Sequence, residues 1–144
     1  MITCEDILNL KLDGMHLIAG EKGLYRMVSW TYMVQTRPYA DHMNRGNFAL
    51  IVVDYVRFDF KEVAVTLEEL NELGISGLAI SVVDDREEVP ESVRRRADEL
   101  ELPLFYVRWE GASFVDIAQS IGSLIVQTGV QNKKTGDYLY NLLF

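Results

Sequence analysis

LNELGISGLAISVV (70–83) is the stretch on which the fold turns. Leu70 and Leu73 close an apolar stripe that begins at Val63, and Gly74 stops it. A nearly continuous apolar run, GLAISVV (77–83), follows at once. Such a run suits a strand covered on both faces, as in a parallel sheet, because neither side is left to water. The order recurs about 27 residues later in ADELELPLFYV (97–107), again helix end, short turn and apolar strand.

Working outward, FALIVV (48–53) supplies an earlier strand of the same kind. Between it and residue 77, Val63, Leu67, Leu70 and Leu73 fall at helical spacing, with Glu62, Glu68, Glu69 and Glu72 mostly elsewhere. A second helix runs from Pro90, suited to a first turn, to Leu100. Strand–helix–strand units of this length close with a right-handed crossover, which makes the strands parallel. Phe114, Ile117, Ala118, Ile121, Leu124 and Ile125 form the stripe of a last helix. Before the repeat, Thr3 and Asp6 resemble a capping box for a short helix. Residues 15–19 read as a strand, 20–23 as a turn between two strands with Glu21 and Lys22 exposed at its tip, and 28–34 as the second strand. The expected fold is a single compact α/β domain, with a mostly parallel central sheet flanked by helices and the N-terminal strands extending the sheet.

The chain has 144 residues, near the commonest size for one domain, with 49% hydrophobic and 25% charged residues. Its net charge of −8 disfavours a nucleic-acid surface, since phosphate contacts need a basic face. Arg94-Arg95-Arg96 does not alter this, because Glu91, Asp98, Glu99 and Glu101 surround it and the three point in different directions on a helix. A single cysteine, Cys4, cannot form an internal bridge. No signal peptide or membrane span is read, and the cytoplasm is the expected location. Residues 129–136 are polar and DYLYNLLF (137–144) opens a new apolar run. The expectation is therefore a linker or the start of a connecting helix over 129–144, in a chain that is a piece of a longer protein.

Chemistry is sparse. His16 and His42 lie 26 residues apart with no cysteine beside them, so no metal site is expected, and both read as structural. No nucleophile stands beside a base. LIAGEKGLYRMVSW (17–30) has Gly20 and Gly23 but no third glycine and no following helix, so it is no phosphate cradle. No cofactor is expected. One convergence remains: ligands of parallel sheets sit beyond the carboxyl ends of the strands. Those ends carry Asp54, Tyr55 and Arg57, then Asp84, Asp85 and Arg86, then Trp109 and Glu110, with Arg108 between strand and tryptophan. Such a rim suits a small polar ligand, with carboxylates accepting N–H donors and Trp109 or Tyr55 stacking on a planar ring. Arg26 is expected either to pair with an acidic neighbour or to reach this rim.

The order of these features resembles the N-terminal domain of the PucR-type, purine catabolism regulatory protein-like family of bacterial transcription regulators. The resemblance rests on Leu17-Ile18-Ala19-Gly20-Glu21-x-Gly23-Leu24-x-Arg26-x-Val28-x-Trp30, then Gly46-x-Phe48-x-Leu50 and Gly74-Ile75-Ser76-Gly77-Leu78-Ala79-Ile80. It continues through Pro90, Ala97-Asp98-Glu99-Leu100-Glu101-Leu102-Pro103-Leu104, Trp109 and Phe114-x-Asp116-Ile117. It implies a regulatory domain over 1–128, non-catalytic and effector-sensing, that controls DNA binding by a helix-turn-helix outside this chain. The expected partners are a small polar metabolite and a second copy of the chain in a homodimer, with no direct contact with nucleic acid. The chain departs from the family pattern at Tyr25, where an aspartate is usual, and at Val52-Val53-Asp54, where Thr-Thr-Gly is usual. A purine-like ligand is therefore not carried over. The competing expectations are a dimerising interaction module without a ligand, and a small enzyme using Asp54, Asp84, Asp85 and Glu110 as an acidic site.

Overall fold

The computed structural model describes residues 1–35, 37–54, 59–83, 88–109 and 113–143, with side chains as far as residue 129. In chain order the elements are β1 (Ile2–Thr3), α1 (Cys4–Asn9), β2 (Met15–Ala19), a 3-10 turn (Glu21–Gly23), β3 (Met27–Val28) and β4 (Trp30–Met33). A second 3-10 turn (Tyr39–Asp41) precedes β5 (Asn47–Val53), α2 (Phe60–Glu72), β6 (Gly77–Val82), α3 (Glu91–Leu100), β7 (Leu104–Arg108) and α4 (Phe114–Leu143).

The main sheet has five strands in the order β2-β7-β6-β5-β4. β4, β5, β6 and β7 run parallel, in the register Met33 to Leu50, Leu50 to Ala79 and Ala79 to Phe105. β2 closes the far edge antiparallel to β7. Every residue of β6 is buried, as its apolar run requires. The two crossovers place α2 and α3 on one face, where Val63, Leu67, Leu70, Val93 and Ala97 pack on Ile51, Leu78 and Ile80. α1 and α4 cover the other face, where Ile7, Ile117 and Ile121 meet Phe48, Leu50, Ala79 and Phe105. Phe48 and Phe105 stack edge to face at 5.6 Å between ring centroids, anchoring that layer.

Helix ends follow local chemistry. Thr3 and Asp6 form a full capping box on α1, and Asp59 accepts from the backbone N–H of Glu62 at the start of α2. Beyond α2, Gly74 takes a left-handed φ of 90°. Pro90 sits one residue before α3, at the cap, rather than inside its first turn.

Two further expectations change. First, 28–34 is not one strand: the chain switches partner at Ser29, so β3 pairs with β1 in a separate two-stranded sheet while β4 joins β5. Second, 20–23 does not fold one strand back on the next, because β2 and β4 lie on opposite edges. A Cβ on Gly20 would fall 1.8 Å from the Leu102 carbonyl oxygen, and one on Gly23 1.8 Å from that of Glu101. These glycines let the turn press against the backbone between α3 and β7, and Gly20 N–H donates to Asp98 at 2.7 Å. Glu21 and Lys22 do remain exposed. α4 itself runs on through Gly129 and Gly136 to Leu143. Each glycine costs a helix only about 1 kcal/mol, too little to end one without a cap.

Candidate functional site

Parallel register puts the carboxyl ends of β5 and β7 at one end of the sheet. Of the rim residues expected there, the structure describes Asp54, half-buried after β5, and Trp109, exposed after β7. Both make further interactions within the protein. Tyr55, Arg57, Asp84, Asp85, Arg86 and Glu110 lie outside the described residues.

Arg26 is not at that rim. It lies at the amino-terminal end of the parallel strands and, among the described residues, pairs with no carboxylate. Its Nη1 donates to Asn71 Oδ1 at 2.8 Å and to the Ile75 carbonyl at 3.1 Å, and Nη2 to the Leu100 carbonyl at 2.9 Å. It thus bonds α2, the α2–β6 connection and the end of α3, where unsatisfied carbonyls and the helix dipoles favour a cation. Cys4 N–H donates to the Arg26 carbonyl at 3.0 Å, tying the segment to α1. The close seat of Gly20 and Gly23 is what carries Arg26 to this end.

Beside Arg26 opens a cavity of about 560 Å³, lined by Met27, Ser29, Arg45, Gly46, Asn71 and Ser76 among others. Arg45 is exposed, and its guanidinium lies across Gly74: a Cβ there would meet Arg45 Cγ at 2.8 Å and Nη1 at 3.0 Å. Ser29 Oγ donates to the Arg45 carbonyl at 3.0 Å, and Gly46 N–H to the Gly74 carbonyl at 2.8 Å, so the loops before β5 and β6 are joined. Ser76 is buried, and its hydroxyl has no partner among the described residues. Its carbonyl accepts from the Cys4 thiol at 3.1 Å, and burial pushes that thiol up to about 12. A thiol held protonated there is no nucleophile near neutrality.

Of these residues only Arg26 was singled out by its sequence context. The rule that ligands of parallel sheets sit beyond the carboxyl ends points away from Ser29, Arg45 and Ser76, which lie on loops entering strands, and from Asn71, which lies inside α2. Arg45-Gly46 and Gly74-Ile75-Ser76 before two such strands were the available signal.

A second concavity, about 730 Å³, runs between β4 and α4 and is lined by Trp30, Thr31, Met33, Phe114, Val115, Ala118, Gly122 and Val126 with neighbouring polar but uncharged side chains. Trp30 is 49% exposed and Val115 66%. The indole lies over Gly122, where a Cβ would sit 3.3 Å from the ring.

Two groups that the sequence set aside as sites lie on the surface. His16 is exposed on β2. Arg95 pairs with Glu91 at 3.0 Å, and Arg96 with Glu68 and Glu99, so the arginine run is a charge-balanced helix face. Among the described residues no group of His, Cys, Asp and Glu is placed to hold a metal ion, and no helix is long and apolar enough to cross a membrane.

The model of the purine catabolism regulatory protein-like family matches residues 6–125, and the chain belongs to that family. No curated protein and no solved structure matches it.

Proposed function

We propose that this member of the purine catabolism regulatory protein-like family is a non-catalytic, effector-sensing domain of a cytoplasmic bacterial transcription regulator. In this reading it controls a DNA-binding helix-turn-helix carried outside residues 1–144. The family match over 6–125 is the observation that carries it. The protonated Cys4 thiol and the balanced arginine face fit a module that neither performs chemistry nor binds DNA itself. α4 supplies a mechanical output. Its first turns pack on the core through Ile117, Ile121 and Ile125, and its backbone runs on to Leu143. Thirty helical residues span about 45 Å, so a small tilt at the core becomes a large displacement at the far end.

A ligand shifts such a device only by its differential affinity for two conformations. Thermal-shift screening against purines, ureides, amino acids and nucleotides tests the reading. A ligand at about 100 times its Kd adds roughly 2.7 kcal/mol of stability. A flat response across that panel counts against sensing.

The uncharged groove favours a second reading, a dimerising interaction module. β4, with the sequence WTYM, is an edge strand without the charges or prolines that usually guard such edges. Static light scattering on the whole chain and on Trp30→Ala tests this: a dimer that becomes monomeric in the variant supports it. A monomer in both proteins rejects it.

A further inference from the structure

We infer that the cavity between Arg26 and Arg45, at the amino-terminal ends of the parallel strands, binds the oxyanion group of a small metabolite. The inference rests on the sensing reading and supplies the chemical class of its ligand.

Charge is the first argument. The ten described residues that line this cavity include two arginines and no carboxylate, in a chain whose net charge is −8. Of the five described arginines outside the cavity, three face carboxylates: Arg37 faces Glu62 and Glu69, Arg95 faces Glu91, and Arg96 faces Glu68 and Glu99. Arg26 instead meets an amide and two carbonyls, and Arg45's guanidinium has no partner among the described residues. The carboxyl-terminal ends of α2 and α3 point here with about half a negative charge each, so two guanidiniums leave roughly one net positive charge.

Geometry is the second. Three hydrogen bonds hold Arg26 in one orientation while its Nε–H has no acceptor among the described residues, so a donor is pre-organised and unspent. Arg45 closes the opposite wall, and its planar fork matches the two oxygens of a carboxylate or phosphate. The backbone between them is glycine, Gly46 and Gly74, both at left-handed φ, with the Arg45 side chain lying over Gly74 and Ser29 beside Gly46. Ser29 and Asn71 add polar groups at the margin. At about 560 Å³ the cavity takes a metabolite larger than the anionic group itself.

The site also touches what a signal needs. It joins the loops entering β5 and β6 to the segment leading into β3, and β3 pairs with β1 just ahead of α1. An anion drawing Arg45 toward Arg26 tightens these connections together.

The test uses the intact chain and sodium phosphate or sodium malonate as probes, against sodium chloride at matched ionic strength, which removes general screening. Titration calorimetry and thermal shift should show saturable binding of one probe or both. The stronger arm tells whether the anchoring group is phosphate or carboxylate. Arg45→Gln keeps the fold, since Arg45 is exposed, and should weaken binding about tenfold or more, the loss of a charge-assisted pair. A response equal to chloride, or the same Kd in Arg45→Gln, overturns the anion site. Neutral ligands that stabilise wild type and Arg45→Gln alike, with both anions silent, overturn this site and leave the sensing reading standing. Silence of every ligand overturns both.

Discussion

Gly20 shows how a single missing atom organises this chain. Its φ of 73° and the 1.8 Å approach to the Leu102 carbonyl both forbid a side chain. Gly20→Ala should therefore cost at least about 2 kcal/mol in urea denaturation, more than strain alone, because backbone rather than a flexible side chain would have to move. Cys4 gives a second prediction. Its thiol titrates near 12 in the folded protein against an ordinary 9.0. Below pH 9 both folded and unfolded states keep the proton, so stability does not depend on this group. As pH rises from 9 toward 12 the unfolded state loses the proton first and stability falls; Cys4→Ala should remove this part of the slope and leave that of Tyr32, whose phenol is also pushed up by burial. Thiol labelling at pH 8 should likewise wait on opening of the fold. That Gly20 and Gly23 mark a turn was legible in the sequence. What they press against was not, since residues 101 and 102 are distant in the chain and only packing brings them near.

α2 separates what burial contributes from what capping contributes. Leu67 is completely buried, and Leu67→Ala should cost about 2–5 kcal/mol. Asp59→Ala removes a single exposed cap bond and should cost about 1 kcal/mol. Chemical denaturation of the two variants should keep that order, and equal losses would mean that α2 is held by its ends and not by its face. Elements with a strong period and a clear stop, such as α2, β6 and β2, are legible because the pattern repeats within the element itself. The break at Ser29 is not, because β3 and β4 differ only in which strand each finds: β1 for one and β5 for the other. α4 was legible over its packed stripe, whereas its passage through Gly129 and Gly136 was not, since a glycine penalises a helix without ending it.

In the whole domain, protection should follow the layering. Amide hydrogen exchange is expected to be slowest in β5 and β6, which are covered on both faces and paired on both edges, and faster in the edge strands β2 and β4. Edge strands as slow as β6 in the isolated protein would point to a partner covering them. The candidate sites divide along the same axis. The carboxyl-end rim was suggested by chain order alone, and its described members, Asp54 and Trp109, do share one end of the sheet. Arg26 was expected to reach that rim or to pair with an acidic neighbour, and in fact stands at the other end, held by two helix termini. The sequence by itself determined the parallel core, because residues 48–107 alternate apolar runs with amphipathic helices of a length that admits one crossover hand. Only the tertiary structure decided where the charges meet. Arg26, Arg45 and the pair Asn71 and Ser76 come from three separate stretches, and their union depends on glycine-permitted backbone contacts that no local pattern encodes.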